Sequence, residues 1–519
     1  MFWADRIAKE IADLTPRDGK KFVIRDEKTM SGRVHIGSMR GVAIHGLVSE
    51  ILTAKGIANE YQYELNDIDP FDTVPGYLDE AVFREHLGKP LYAVPSPEPG
   101  FDSYAEYFAA EFVSVHEKAG FKPTYYRATE LYRSGAMDKY IRIALTRAAD
   151  VRRIMKEVSG STKDDSWLPI SVICETCGKV MTTRAYDFDG ETVGYTCDKG
   201  PDGSVPCGAK GRVAPWKGAA KLFWKVDWAA KWAARGVDIE GAGKDHSTKG
   251  GARDVSNHIA KELFDLPSPY DIPYEFFLVG GKKMSSSKGR GSSAKEMSEL
   301  FPPTVFRLVM LGKDINQQID IDPSGDSVPR TFDWYDDLAD GVRDGKADDF
   351  ARIYAVSQLP GTGYAAPWQL RFSQVAFIVQ MPHLSLEAEA ERVKESPLTE
   401  EEKRVLGERA AYARFWLSTY APDSHKYVLQ NTVPEGLTFS DEQKKALSAL
   451  ADFMQTPHTG EEVQAKLFEL RNEVPIEPKA LFSAIYRIFL NRDSGPKAGW
   501  FLSVLPPEMV SARLKEASA

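Results

Sequence analysis

A short apolar run, Lys21 to Arg25 (KFVIR), gives way to the polar loop Asp26 to Gly37, and then to a stretch in which Met39, Val42, Ala43, Leu47, Ile51 and Leu52 share one helical face. A second apolar run, Tyr61 to Leu65, follows and ends in the acidic turn Asn66-Asp67-Ile68-Asp69-Pro70. Strand, glycine loop, helix and strand in this order form the opening β-α-β unit of a doubly wound parallel sheet, so the expected fold class is α/β of the Rossmann type. Ligands of such sheets bind beyond the C-terminal ends of the strands, which directs attention to the loop carrying Arg33-Val34-His35-Ile36-Gly37-Ser38.

The rest of the 519 residues divides by texture. At roughly 150 residues per domain the length suggests about three domains, and 43% hydrophobic with 27% charged residues is an ordinary globular composition. The 66 Lys and Arg against 75 Asp and Glu leave a net charge of −9, which excludes binding nucleic acid through overall positive charge but not through a local basic surface. One such stretch is Tyr140 to Glu157, with Arg142, Arg147, Arg152, Arg153 and Lys156; it reads either as a solvated helix face or as a phosphate-contacting one. The first twenty residues lack an apolar signal core, and no run of about 18 apolar residues occurs anywhere, so a cytoplasmic protein with no membrane partner is expected. Tyr274 to Val279 (YEFFLV) reads as a strand. Beyond about Gly325 the pattern is helical, with capping boxes at Thr399/Glu402, Ser440/Gln443 and Thr459/Glu462. No internal repeat is visible, and the polar Ser324 to Arg330 segment is the nearest thing to a linker.

All four cysteines, Cys174, Cys177, Cys197 and Cys207, fall within 34 residues. Four soft thiolates select tetrahedral zinc, with free structural cysteines as the alternative; the intracellular reading disfavours disulfides. His35 at a helix start can donate to a phosphate oxygen or simply be a structural histidine, and Gly37 leaves room for a ring or sugar against the backbone. After the strand comes Gly281-Lys282-Lys283-Met284-Ser285-Ser286-Ser287-Lys288-Gly289, whose lysines and hydroxyls suit a polyphosphate; a solvated loop is the other reading, against which Met284 speaks.

Together these two elements resemble the His-Ile-Gly-His and Lys-Met-Ser-Lys-Ser signatures of class I aminoacyl-tRNA synthetases. SGRVHIGS, NDIDP, WKVDW, GAGKDH, PYEFF and KMSSSKG more closely resemble the class I lysyl-tRNA synthetases, and FRLVMLGKDINQQIDID (306–322) extends the likeness. The resemblance implies ATP-dependent attachment of L-lysine to tRNA(Lys) through a lysyl-adenylate, with ATP and Mg2+ in the reaction, a structural Zn2+, and no DNA partner. It implies a catalytic domain at 1–325, including a zinc-binding module at 170–212 and a signature-loop region at 280–325, and a helical anticodon-binding domain at 326–519. His35, Lys283 and Lys288 would be catalytic; Gly37, Ser38, Gly243, Asp245, Met284, Ser285 and Ser287 would bind ATP. Thr29, Trp224, His246 and Tyr274 would bind lysine, although Trp224 also fits a core row with Trp228 and Trp232.

The chain departs from the family pattern at four positions. Ser38 replaces the second histidine, Ser286 the middle lysine and Met30 a proline, while Glu27 stands where glycine is usual beside the substrate. Glu27 therefore either contacts an ammonium group of lysine or pairs with Arg25 or Lys28 at the loop's surface. A class I synthetase for another amino acid, a small adenylate-forming nucleotidyltransferase, and a non-catalytic tRNA-binding regulator are the competing functions. The zinc module and helical tail argue against the second. The retention of His35 and the lysine loop argues against the third.

Overall fold

A computed structural model describes residues 1–200, 203–282, 293–363, 366–381 and 384–519; Lys283, Met284, Ser285, Ser287 and Lys288 lie outside the described residues. The chain divides into two units, Met1–Ile321 with Asp344–Tyr364, and Asp322–Arg343 with Ala365–Ala519. Residues 344–364, C-terminal to the division expected at 325/326, thus pack with the first unit, where helix Pro303–Leu311 meets helix Asp349–Ser357.

The first unit is built on parallel strands. Strand β1 (Phe22–Thr29) pairs with β2 (Asn59–Asn66) from Phe22↔Asn59 to Thr29↔Asn66, and β2 pairs with β3 (Thr124–Arg127). On its other side β1 bridges to Ile239 and Ile239 bridges to Tyr270, both in parallel, and Ala242–Gly243 then pairs with Pro273–Tyr274. The spatial order is therefore β3, β2, β1, 239–243, 270–274, and the direction of winding reverses between β1 and 239–243. Such a reversal opens a crevice at the strand ends. Helix Met39–Ala54 is buried around most of its circumference, as expected of a helix held between a sheet and further helices rather than against solvent.

Two local expectations are corrected, and one left open is narrowed. The first strand does not end at Arg25; its ladder continues through Thr29, with the side chains of Arg25, Glu27 and Thr29 bonded to partners inside the fold. The Tyr274 to Val279 run is not one strand: Pro273–Tyr274 joins the main sheet, while Phe277–Leu278 turns away to pair with Ile319–Asp320. The basic stretch forms two helices, Asp138–Thr146 and Ala148–Ser159. Its guanidinium groups are committed: Arg142 to Glu191 and over Trp216, Arg147 to Asp150, Arg152 to the Trp167 carbonyl and Arg153 to Glu157 and Glu262, which favours the solvated face.

The cysteine region forms a small antiparallel sheet of Thr183–Phe188, Val193–Cys197 and Lys210–Val213, beside the pair Ile170–Val172 and Ala220–Leu222. In the second unit every described regular element is a helix, and capping boxes are formed at Thr399, Ser440 and Thr459 as the sequence indicates. Its helices enclose a buried Arg409–Asp336 pair, with guanidinium nitrogens 2.7 and 2.6 Å from the carboxylate. Among the described residues, no helix is long and apolar enough to cross a membrane.

Candidate active site

A cavity of about 290 Å³ lies where the winding reverses, at the ends of β1 and 239–243. Its walls bring together residues more than two hundred positions apart. His35, Gly37 and Ser38 come from the turn Ile36–Ser38 that leads into helix Met39–Ala54; Gly243, Asp245 and His246 come from the opposite strand end. Trp224, Tyr274 and Glu27 complete the set expected from the sequence. Thr29 is not part of the lining, and its hydroxyl donates to Asp69 at 2.6 Å.

The tryptophans of helix Trp224–Arg235 serve both uses weighed for them. Trp232 is fully buried, Trp228 nearly so, and Trp224 is 43% exposed, so one helical row runs from the core out to the cavity. Trp224 stacks on Trp228 with centroids 6.3 Å apart, and the edge of His246 meets both rings. This is an apolar wall suited to a methylene chain.

Beneath that wall lies a buried charge network. Arg25, with no solvent exposure, donates to Glu240 at 2.8 and 2.9 Å, to Glu64 at 2.8 Å, to Tyr126 at 2.8 Å, and to Glu27. Trp228 and Trp232 donate to Glu240 at 2.7 and 2.8 Å. Lys231 joins Glu64 to Asp227, and Lys221 joins Asp227 to Asp69. Burial alone would raise Glu64, but Lys231 and Arg25 hold it below its usual range; Asp227 and Asp69 are held down in the same way by the two lysines. Glu27 differs. A third of its side chain is open, and burial pushes its carboxyl up to about 7 against the opposing pull of Arg25 and Lys231. Its expected surface pairing with Arg25 is therefore real but internal, and the same carboxylate also faces the cavity.

On the other face of β1, Asp26 and the hydroxyl of Tyr274 crowd Gly41: a Cβ there would come within 2.6 Å of the Asp26 carboxylate and 2.8 Å of the Tyr274 hydroxyl. Glycine is the side chain that lets helix and strand approach this closely.

In the antiparallel module the four cysteine sulfurs lie within 4.8 Å of one another, with Cys174 and Cys207 3.6 Å apart and Cys177 and Cys197 3.8 Å apart. A tetrahedral site with Zn–S bonds of about 2.3 Å sets sulfurs about 3.8 Å apart, so these residues fit a zinc ion.

The sequence profile of the tRNA synthetases class I (K), K being the one-letter code for lysine, matches residues 1–360. The chain belongs to the class I lysyl-tRNA synthetase family. Relatives include Lysine--tRNA ligase 1 of Methanosarcina acetivorans, 35% identical over 100% of this chain and 98% of that protein. Lysine--tRNA ligase of Methanosarcina barkeri is 34% identical over 99% and 97%, and that of Archaeoglobus fulgidus 32% identical over the full length of both.

Several residues of this synthetase escaped sequence reasoning, His45 behind the cavity and three others in its lining. His45 is fully buried in helix Met39–Ala54; its Nδ1 lies 2.7 Å from the Gly41 carbonyl and its Nε2 accepts the Gly241 amide at 2.7 Å. It ties the helix that follows the histidine signature to the strand leading into GAGKDH, and no local pattern marks it. Asp26, Lys28 and Glu240 line the cavity. The first two sit in the unbroken polar run Arg25 to Thr29, which lacks the alternation that marks a strand.

Proposed function

We propose that this chain activates L-lysine with ATP and transfers it to the terminal ribose of tRNA(Lys). Membership of the family supports the reaction class, and one observation carries the reading to this chain: a single cavity unites the His35–Ser38 turn, the Gly243–His246 segment and the Trp224 wall. In the first step a carboxylate oxygen of lysine attacks the α-phosphorus of ATP and pyrophosphate leaves with the bonding electrons. In the second, the ribose hydroxyl displaces AMP.

On this reading His35, Gly37 and Ser38 take the phosphates and adenosine at a helix start, where backbone amides favour anions. Gly243 and Asp245 take the ribose, and Met284, Ser285 and Ser287 belong to the loop over the nucleotide with Lys283 and Lys288. Trp224, His246 and Tyr274 enclose the lysine stem and polar ends. Mg2+ would neutralise the triphosphate. The helical second unit would bind the anticodon region. ATP-pyrophosphate exchange with each of the twenty amino acids, run with tRNA present, tests the assignment: lysine alone should support exchange. Selectivity for another amino acid would leave a class I synthetase of different substrate.

Glu27 is assigned to an ammonium group of the substrate, whose desolvation a carboxylate offsets. Glu27→Gln should raise the KM for lysine by an amount worth a few kcal/mol at most, about that of one charge-assisted hydrogen bond, with little effect on ATP. Because Glu27 titrates at about 7, its carboxylate becomes available as pH rises. Lysine should therefore bind more tightly at pH 8 than at pH 6 in the parent, a dependence that flattens in the variant. A lysine KM unmoved by the substitution would confine Glu27 to its pairing with Arg25.

Zinc in the Cys174, Cys177, Cys197 and Cys207 set would fasten the antiparallel module, which is assigned to positioning tRNA. Metal analysis of anaerobically purified protein should return about one zinc per chain, and chelation should loosen 170–212 in hydrogen exchange while the parallel sheet stays protected. Metal-free protein would remove this assignment.

A further inference from the structure

Lys28 is the single lysine or arginine among the described residues lining the cavity, where it stands beside the carboxylates of Asp26, Glu27, Glu240 and Asp245. Unlike Arg25, Lys221 and Lys231, it makes no hydrogen bond or ion pair in the described structure, although it is only partly open to solvent. A half-buried ammonium balanced only by the field of neighbouring carboxylates keeps its hydrogen-bonding capacity free for a ligand. Burial accordingly lowers its pKa, with Asp26 and Glu27 opposing.

The side of the cavity that Lys28 faces follows from strand alternation. Arg25, Glu27 and Thr29 share the face of β1 that meets Lys231 and the Trp224 wall, through the Arg25–Glu240 and Glu27–Lys231 contacts. Asp26 lies on the opposite face, beside Gly41 and His45 of helix Met39–Ala54, and Lys28 is two residues further along the same face, toward the Ile36–Ser38 turn. Lys28 therefore enters the cavity from the face of β1 that carries Asp26, opposite the Arg25–Glu240 network.

We propose that Lys28 is a further catalytic residue of this chain, its ammonium contacting the α-phosphate of ATP as the lysine carboxylate attacks. The proposal rests on the lysyl-adenylate reading above. Negative charge grows on the non-bridging α-phosphate oxygens as the new P–O bond forms and the bond to pyrophosphate breaks, and a fixed cation stabilises that charge more than the ground state.

Lys28→Met and Lys28→Gln in the full chain, assayed with tRNA by single-turnover adenylate formation, test it. The rate should fall about a hundredfold, while the KM for lysine moves by less than about threefold. Lys28→Arg should recover part of the loss, because a charge is restored on a side chain of similar reach. Thermal unfolding should show Lys28→Met folded and close to the parent in stability, since the ammonium makes no hydrogen bond or ion pair that the substitution would break. Adenylate formation within about threefold of the parent in both neutral variants would overturn the proposal. So would a loss confined to lysine affinity that disappears with lysinamide, which would assign Lys28 to the substrate carboxylate. If the parent itself forms no adenylate with lysine, the lysine assignment fails instead.

Discussion

Arg25→Met should lower the free energy of unfolding of the first unit by about 3–5 kcal/mol, the usual result of removing one partner from a buried ionic network. The arginine has no solvent exposure and serves Glu240, Glu64, Glu27 and Tyr126 at once, so its loss leaves the buried carboxylates of Glu64 and Glu240 short of a counter-charge. Trp228 and Trp232 still donate to Glu240, and Lys231 still reaches Glu64, which keeps the effect within that range. Urea unfolding followed by tryptophan fluorescence is the direct measurement, with the midpoint falling and the slope unchanged. The pH dependence gives a second check. In the parent, Glu64 is held below its usual pKa by Lys231 and Arg25, so its contribution is present above the unfolded carboxylate value and is lost as pH falls through the folded one. In the variant, the attraction of Arg25 is gone while that of Lys231 remains, so the folded pKa of Glu64 moves up and less of this contribution is present at neutral pH. The gap between parent and variant should be widest near neutral pH and narrow toward about pH 5. A gap independent of pH would mean that packing, not charge, accounts for the effect.

Lys288→Ala should slow adenylate formation about a hundredfold or more, because electrostatic donors of this kind are worth on the order of 3 kcal/mol in the transition state. Lys288 lies outside the described residues; the expectation rests on the proposed role of its loop in stabilising charge on the departing pyrophosphate. An interaction that strengthens as the leaving group departs lowers the rate when removed and leaves lysine affinity nearly intact. Pyrophosphate exchange with lysine titrated against each protein separates the two effects. A change confined to the lysine KM contradicts the role. Lys282, outside the matched motif, provides the control and should tolerate alanine with a mild effect. Comparing Lys28→Met with Lys288→Ala also separates the two ends of the triphosphate, because only the former is assigned to the α-phosphorus.

The architecture was legible where it follows from interactions between near neighbours in the chain. The strand, glycine loop and helix of residues 21–52 and the boxes at Thr399, Ser440 and Thr459 are such patterns, formed from hydrogen bonds and apolar spacing within a few residues. The signatures that resemble a synthetase family were legible for a related reason: each is a short run whose chemistry is complete in itself. The cysteine cluster was visible as a count that already suggested a metal site; two antiparallel strand pairings supply the geometry that brings Cys197 and Cys207 to Cys174 and Cys177.

Tertiary structure decided what the cavity is made of. Arg25 reads as the end of an apolar strand, yet its main partner, Glu240, is 215 residues away, and that pairing lets four further polar residues continue the ladder to Thr29. Once the strand runs on, alternation sends Glu27 toward Lys231 and Lys28 to the opposite face with Asp26, both lining the cavity. The same contacts take Thr29 out of the lining and give its hydroxyl to Asp69. Sequence therefore determined the class of fold and the signature residues, because local hydrogen bonding and apolar periodicity are written within a few positions. The fate of each polar side chain was left to the fold, because a buried charge is stable only beside a partner, and that partner is set by strand order across the sheet.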